Sequence, residues 1–239
     1  MSDTALRILD TGTRAATPPS EIVEVRHQPA LVRRRLPVDA DQLSVTLSTP
    51  AHIVFYSRFA VQCMADRITD VDDHRLWAVG PKTAARVGEA WGVDAEFPDE
   101  HHFSGLRAQL EQCDDRRRIV AFGLRGKPRD LGDIADDWNT AFHSIDVYSS
   151  EPAPGDELRT AFDDFRPHWI AVTSSRGAQA IADGVGRSRL AALQSEDKLR
   201  VAAIGPSTAQ TLTGLEIRPD LICDDPDRDA MLEAIAETT

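Results

Sequence analysis

An internal repeat is the feature of this 239-residue chain that most restricts its fold. Residues 54–66, which read VFYSRFAVQCMAD, match residues 171–183, which read AVTSSRGAQAIAD. In both copies a short apolar run reaches a serine and then opens an amphipathic segment. A second pair, at residues 77–93 and 202–217, places an apolar run before Gly-Pro, a threonine and another amphipathic segment. Each copy is typical of a strand followed by a helix, and such units in succession build parallel sheets covered by helices.

A third and weaker match indicates how the units are distributed between two lobes. RIVAFGLRGKPRDL followed by IDVY resembles LRILDTGTRAA followed by EIVEV near the amino terminus. Because the C-terminal half lacks its own copy, we assign the amino-terminal copy to it. We therefore predict an α/β protein of two Rossmann-like or flavodoxin-like lobes with parallel sheets, joined by a two-strand hinge. The predicted segments are residues 1–30 plus 153–239 for the first lobe, 37–144 for the second lobe, and 31–36 and 145–152 for the connecting strands.

The amino-terminal unit is shorter than the others. Only about a dozen residues, TGTRAATPPSEI, separate the expected strands at Arg7–Leu9 and Ile22–Val25, and they include a Pro-Pro pair. A crossover that contains a helix normally needs at least about ten to twelve residues. We therefore predict that this helix is shortened or absent, which leaves one edge of the sheet less covered.

Composition narrows the class of protein. A net charge of −12 argues against general binding to nucleic acid or to an anionic membrane. The longest apolar runs fall far short of the roughly 20 residues of a membrane span. The start MSDTALRILD lacks a basic region followed by an apolar stretch, so we expect no secretory signal. The three cysteines, Cys63, Cys113 and Cys223, predict free thiols in a reducing cytoplasm, and the seven histidines show no metal-ligand spacing.

The two serines at the strand-to-helix junctions are the first candidates for ligand binding. Ser57 and Ser174 occupy N-cap positions, where a helix start offers unpaired N–H groups and favours negative charge. Each loop could hold a carboxylate, or each serine could simply cap its helix. The repetition of the same residue at the carboxyl ends of equivalent strands, where open α/β sheets bind ligands, favours binding.

The two Gly-Pro turns form a second candidate. Gly80 and Gly205 permit a tight turn with close backbone approach, and the prolines fit the first helical turn. Thr83, Ser207 and Thr208 follow and could donate hydroxyls to a bound anion. The GxxxxGK[ST] spacing of a P-loop is missing, so no nucleotide is predicted. A helix-start turn without a ligand stays an alternative.

A basic loop and a tyrosine complete the candidates. Arg125, Lys127 and Arg129 follow an apolar strand and could grip carboxylates, unless acidic neighbours at Asp130 and beyond neutralise them on the surface.

Tyr148 ends the expected strand Ile145–Tyr148 in the connecting segment. A tyrosine there can donate a proton to a leaving hydroxyl. From the residues alone, packing with a surface hydroxyl is the favoured interpretation.

The ordered succession of these segments resembles one known family. VFYSRFAV, VGPKTA, IDVYSSEP, AVTSSRGAQAI and AAIGPSTAQTL follow one another, from about residue 50 to residue 235, as in uroporphyrinogen-III synthases. The resemblance implies two α/β lobes facing a cleft. It implies hydroxymethylbilane, a linear tetrapyrrole with acetate and propionate side chains, as substrate. It further implies loss of the terminal hydroxyl as water and ring closure with inversion of the last pyrrole, without cofactor or metal.

The resemblance also assigns roles by position. Tyr148 matches a tyrosine thought to assist hydroxyl loss. Tyr56 and Arg58 depart from the smaller residue and the Pro or Asn that commonly flank the first serine, and they can narrow the cleft. The positions that match substrate-binding residues are Ser57, Ser174, Thr83, Ser207 and Thr208, with Arg200 as a basic residue near the second Gly-Pro turn.

The predicted function is therefore that of a cytoplasmic, monomeric uroporphyrinogen-III synthase, a lyase of tetrapyrrole and heme biosynthesis. A non-catalytic module that senses an anionic ligand is the alternative, which the shortened first unit favours slightly. A solute receptor of periplasmic type also has two lobes and a hinge, but the absent signal weighs against it.

Overall fold

A computed structural model describes residues 5–127, 130–224 and 227–238. The chain divides into two compact units, the first made of residues up to Arg33 and from Glu151 onward, the second of Arg34–Ser150. Among the described residues, no helix has the length and apolar character needed to cross a membrane. The strands are β1 (Leu6–Asp10), β2 (Val23–His27), β3 (Leu31–Arg35), β4 (Ala51–Phe55), β5 (Arg75–Ala78), β6 (Arg118–Leu124), β7 (Phe142–Pro152), β8 (Trp169–Val172), β9 (Arg200–Ala203) and β10 (Leu221–Ile222).

The helices follow the strands in nearly regular alternation, as the repeat predicts. A π-helical turn at Ala182–Gly186 joins two of them. They are α1 (Ala40–Leu47), α2 (Arg58–Met64), α3 (Pro81–Trp91), α4 (Phe103–Glu111), α5 (Gly132–Asp137), α6 (Gly155–Phe165), α7 (Ser175–Ile181), α8 (Arg187–Ser195), α9 (Pro206–Gly214) and α10 (Arg228–Glu237).

The first unit contains a five-stranded sheet in the order β10-β9-β8-β1-β2, in which every neighbouring pair is parallel. The amino-terminal strand β1 therefore pairs directly with β8, with Ile8 opposite Trp169 and Leu9 opposite Ile170. All four residues are buried, and successive side chains enter cores on opposite faces. Burial on both faces is the reason the parallel strands read as continuous apolar runs.

The second unit repeats this architecture in the order β3-β7-β6-β4-β5. The pairs β4–β5, β4–β6 and β6–β7 are parallel, so β5, β4, β6 and β7 correspond to β9, β8, β1 and β2. The predicted α/β class with two parallel sheets is confirmed. The segment AEFP differs from its expected strand, because it contributes only a single bridge between Glu96 and Trp77.

Two strands, β3 and β7, carry the chain from one unit to the other. Ala153 donates its N–H to the carbonyl of Ala30, and Leu36 donates to the carbonyl of Val147, each at 2.9 Å. Since the residue numbers rise along one segment as they fall along the other, the segments are antiparallel. β7 has 11 residues and continues to Pro152, so Tyr148 lies inside the strand and not at its end as expected. The exact lobe boundaries stay a prediction.

The segment between β1 and β2 contains no helix, which confirms the prediction of a shortened or absent one. A side chain from α10 secures this loop. The guanidinium of Arg228 donates to the carbonyls of Arg14 and Ala15, the latter at 3.1 Å. One of its nitrogens also lies 3.6 Å from a carboxylate oxygen of Asp10, which is fully buried. Burial raises the pKa of Asp10, while the N–H of Gly12 and the Arg228 charge oppose that rise.

We predict that Arg228→Gln lowers the free energy of unfolding by about 2 kcal/mol. The change leaves the buried Asp10 carboxylate without a cation and two loop carbonyls without a donor. Urea unfolding gives the free energy, and amide hydrogen exchange should accelerate between residues 11 and 22. Arg187→Gln, which removes an exposed arginine of the same unit, should stay within about 0.5 kcal/mol of the parent. Equal unfolding free energies for the two variants would contradict the role given to Arg228.

Candidate functional site

Both repeated serines lie at N-caps, as predicted from the sequence. Ser57 has φ −163° and ψ 154°, and its hydroxyl oxygen accepts the N–H of Ala60 at 3.2 Å. Ser174 has φ −170° and ψ 156°, and it accepts the N–H of Gly177 at 3.0 Å. Extended backbone at the cap and a hydroxyl turned onto the third helical residue are the usual means of starting a helix. Each serine therefore stabilises its own helix, whatever else its hydroxyl proton does.

In the second unit, the capping serine also contacts the candidate acid. The hydroxyl oxygens of Ser57 and Tyr148 are 3.0 Å apart. Tyr148 is 6% exposed, and its ring packs edge-on against Phe59 with centroids 5.0 Å apart. Because the Ser57 oxygen already accepts a backbone N–H, its own proton is free to point at the phenol oxygen. At the start of α7 in the first unit, the neighbouring group is the methyl of Ala30 and not a tyrosine hydroxyl.

The helices that follow the Gly-Pro turns begin without a side-chain cap. At α3, Gly80 is the N-cap and Pro81 occupies the first helical position, and Gly205 and Pro206 repeat the arrangement at α9. In place of a side chain, the carbonyl of the N-cap glycine accepts the N–H groups of the third and fourth helical residues, at 3.0 Å in α3 and 3.1 Å in α9. The starts of α7 and α9 lie side by side, because the Ser175 hydroxyl donates to the carbonyl of Ser207 at 3.1 Å.

The hydroxyls after these turns differ in exposure. Thr83 is 6% exposed and Thr208 is 2% exposed, whereas Ser207 is exposed. The two threonines therefore lie mainly in the packed interior of the first helical turn, and Ser207 is the hydroxyl that faces solvent.

The conformational freedom of glycine does not explain why glycine stands at the two Gly-Pro turns. Gly80 and Gly205 have φ of 176° and 172°, an extended backbone that any residue adopts. At Gly80 the constraint is space, because an added Cβ would lie 3.1 Å from the Cβ of His101. At Gly205 the nearest atom would be the carbonyl oxygen of Cys223 at 4.0 Å, an ordinary contact. Neither turn needs the left-handed conformation of glycine.

The basic loop lies next to the tyrosine strand. Arg125 and Lys127 are exposed in the turn after β6, where Gly126 has a left-handed φ of 69°. The backbone N–H of Arg125 donates to the carbonyl of Tyr148 at 2.8 Å, which fixes the loop beside that residue. Within the ranges that the structure describes, neither Arg125 nor Lys127 forms an ion pair. Arg129 lies outside the described residues.

The acidic residues expected to neutralise this loop have other partners. Asp133 binds the guanidinium of Arg107 through two hydrogen bonds, and Asp130 accepts the N–H of Gly132 at 3.1 Å. Asp133 is therefore paired with Arg107, and the side chains of Arg125 and Lys127 are exposed.

Arg200 is not brought together with the other candidates. It is the first residue of β9, whereas Gly205 and Ser207 follow the other end of that strand. Its guanidinium lies over the ring of Trp169, 5.7 Å from the centroid. A strand rises about 3.3 Å per residue, so the length of β9 separates Arg200 from the turn.

Sequence analysis missed the polar group at the end of β1. Asp10 and Thr11 are buried at the same edge as Ser174, and the Thr11 hydroxyl donates to the carbonyl of Ala171 at 2.7 Å. His27 at the end of β2 lies within 2.8 Å of the Gly12 carbonyl. The weaker third repeat already placed this segment at a strand end, and that signal could have identified it. In the described part of the chain, no group of three His, Cys, Asp or Glu side chains is placed to hold a metal ion.

Comparison with known proteins gives one consistent result. The family model "Uroporphyrinogen-III synthase HemD" matches residues 17–233. A curated uroporphyrinogen-III synthase from Chlorobaculum parvum is 24% identical over 200 residues, which are 81% of this chain and 78% of that protein.

Solved structures of the same name have a similar fold. Uroporphyrinogen-III synthetase from Helicobacter pylori superposes with a TM-score of 0.65 at 15% identity, covering 98% of this chain and all of the other. A mutant uroporphyrinogen III synthase from Thermus thermophilus gives a TM-score of 0.60 at 15% identity and covers 98% of each chain.

We predict that the two serines contribute unequally to stability. Ser174→Ala removes one cap and should cost about 1 kcal/mol. Ser57→Ala removes a cap and the hydrogen bond to Tyr148, so it should cost about 2 kcal/mol. In a double-mutant cycle measured by urea unfolding, Ser57→Ala and Tyr148→Phe should couple by about 1 kcal/mol, whereas Ser174→Ala and Tyr148→Phe should be additive. Additivity in both cycles would exclude an energetic link between the two hydroxyls.

Proposed function

Because the chain belongs to the uroporphyrinogen-III synthase family, we propose that Tyr148 protonates the leaving hydroxyl of hydroxymethylbilane during ring closure. The family's enzymes are hydro-lyases of heme biosynthesis. The observation that carries the proposal is the hydrogen bond between the hydroxyls of Tyr148 and Ser57, in a strand to which the backbone of Arg125 is also bonded.

The proposed proton transfer uses both hydroxyls. Tyr148 donates its proton to the terminal hydroxyl of the substrate, so that the C–O bond breaks and water leaves. Negative charge then grows on the phenol oxygen, and the Ser57 hydroxyl donates a hydrogen bond to it. The Ser57 oxygen is itself held by the N–H of Ala60, so this donor is fixed before the reaction and needs little reorganisation. General acid catalysis of this kind typically contributes about 10²–10⁴-fold to a rate.

The carboxylates of the substrate are proposed to bind at two kinds of position. Arg125 and Lys127 supply positive charge without a competing ion pair among the described residues, and arginine binds carboxylates through two parallel hydrogen bonds. Each unit also offers one helix start by itself, that of α3 in the second unit and that of α9 in the first, where the positive end of the helix dipole favours an anion. Ser207 adds an exposed hydroxyl at α9.

These positions leave different roles for the remaining candidates. Gly80 and Gly205 shape the two uncapped turns, and Thr83 and Thr208 pack beneath them. Ser174 is proposed to hold the helix start next to that of α9. Arg200 has no place in the proposal, because it lies at the other end of its strand.

The reaction needs little beyond binding and one acid. The linear substrate is reactive by itself, so a protein that fixes its conformation and stabilises developing charge gains much of the rate. No cofactor enters this scheme. We further propose that the enzyme is cytoplasmic and acts as a monomer. The comparisons give no support to the alternative of a non-catalytic sensing module.

We predict that Tyr148→Phe lowers the rate of type III product by at least about 100-fold, because the leaving hydroxyl loses its acid. Purified protein is incubated with hydroxymethylbilane, and the type I and type III isomers are separated. Tyr56→Phe, which removes the hydroxyl of the other tyrosine, is the matched control and should retain most of the rate. Retention of the parent rate in Tyr148→Phe would remove Tyr148 from the mechanism.

We predict that Arg125→Gln and Lys127→Gln each raise KM more than they lower kcat. Both side chains are exposed, so the effect should be larger at low salt, where their charges are less screened. Steady-state kinetics at two ionic strengths provides the measurement. Arg116→Gln removes an exposed arginine that follows no strand end and should leave KM unchanged. If neither variant changes KM at low salt, Arg125 and Lys127 are ordinary solvent-exposed residues that do not bind the substrate.

A further inference from the structure

A second group of side-chain donors lies in the first unit, and the reaction proposed above does not use it. Arg7 is near the amino end of β1, and Arg166 and His168 come just before β8. They line a cavity of about 640 Å³, at the sheet edge opposite to the candidate site. Phe162 and Leu193 contribute apolar side chains to the same cavity.

The contacts of His168 place two donors face to face. The backbone N–H of Arg7 donates to Nδ1 at 3.1 Å, so this nitrogen carries no proton. Burial and the nearby Arg7 charge lower the pKa of His168 and favour the neutral ring. A neutral imidazole has one unprotonated nitrogen, and therefore Nε2 carries the hydrogen. The Arg7 guanidinium, which can only donate, has its Nη2 3.3 Å from that Nε2.

An acceptor placed between these two groups can receive both hydrogens. Arg7 uses its Nε to donate to the carbonyl of Arg166 at 2.9 Å, which holds the guanidinium in place. In the described ranges, neither Arg7 nor Arg166 forms an ion pair. The charged lining of the cavity consists of four cationic side chains, Arg7, Arg166, Arg189 and Lys198, and two carboxylates, of which Asp163 is paired with Arg189. Glu24 and Asp164 line an adjoining cavity with Arg7 and Arg166.

The geometry points to a second binding site, in which Arg7, His168 and Arg166 hold the anionic group of a small organic ligand whose apolar part contacts Phe162 and Leu193. An anionic oxygen placed between Nη2 of Arg7 and Nε2 of His168 accepts a hydrogen bond from each, so the two donors no longer face each other without an acceptor. Charge-assisted bonds from arginine are among the stronger hydrogen bonds in proteins. Apolar walls with a few convergent polar groups are typical of small-molecule sites. The inference is independent of the proposed reaction.

Four probe molecules test the two halves of the proposed site by isothermal titration calorimetry of the whole chain. Phenyl phosphate and benzoate carry an anionic group on an apolar ring, inorganic phosphate carries only charge, and benzyl alcohol carries only the ring. We expect one of the two aromatic anions to bind at least about tenfold more tightly than inorganic phosphate and benzyl alcohol. The tighter one identifies the head group as phosphate or carboxylate. Equal binding of inorganic phosphate, or no binding of either aromatic anion, would overturn the inference.

Two variants locate the donors. Arg7→Gln should weaken the tighter probe by at least about tenfold. Since Arg7 also holds the Arg166 carbonyl, His168→Asn provides a second test. Asparagine can still accept the N–H of Arg7 but lacks the donor at Nε2, so the fold should persist while affinity falls several-fold. Arg187→Gln, an exposed arginine of the same unit, is the control and should bind as the parent does. Unchanged affinity in both variants would exclude the site.

Histidine NMR signals distinguish the two edges of the sheet. His168 lies at the proposed site, whereas His27 ends β2 at the opposite edge. The tighter probe should shift the His168 ring signals and leave those of His27 in place. A shift of His27 with His168 unchanged would show that the anion binds at the candidate active edge, which would refute the second site.

Discussion

The shared direction of the strands is the constraint on which the candidate site depends. Because neighbouring strands within each repeated set are parallel, they all end at one edge of their sheet, and the helices that follow begin there. Each such helix brings the positive end of its dipole to that edge. A protein with a net charge of −12 can therefore present a local anion site without a large basic surface. Each unit contains such an edge in its own right.

The helix starts at this edge are of two kinds, those capped by a serine side chain and those that follow a Gly-Pro turn. Ser57 and Ser174 satisfy the starts of α2 and α7 with their own hydroxyls. The Gly-Pro turns start α3 and α9 without a side-chain cap, and the carbonyls of Gly80 and Gly205 accept the N–H groups of the third and fourth helical residues instead. The two units differ at these caps, because the Ser57 hydroxyl lies 3.0 Å from that of Tyr148, whereas the methyl group of Ala30 lies beside the start of α7.

The loss of one crossover helix shows how the fold tolerates a shortened connection. The strands β1 and β2 still pair in register, with Leu6 opposite Val23 and Asp10 opposite His27. Their connection is a loop whose Ala16 packs against the core on the side of α10, and Arg228 from that helix supplies the hydrogen bonds that hold it. The cost is a buried carboxylate at Asp10 whose pKa is raised by burial, and the same arginine opposes that rise.

The sequence by itself determined the α/β class, the two-fold repeat, the serine caps and the absence of the first crossover helix, because these follow from local apolar patterns and from residue types that start or stop helices. Strand-end position selected Ser57 and the Arg125 loop, whereas Tyr148 was selected only by the resemblance to the family. Only the tertiary structure decided that the hydroxyls of Ser57 and Tyr148 meet and that Arg200 lies at the wrong end of β9 to join them. The same holds for Asp10 and Arg228, and for Arg7 and His168, which are distant in the chain. Contacts of this kind depend on strand register and on side-chain direction in the folded sheet, and a local pattern in one sequence carries no record of either.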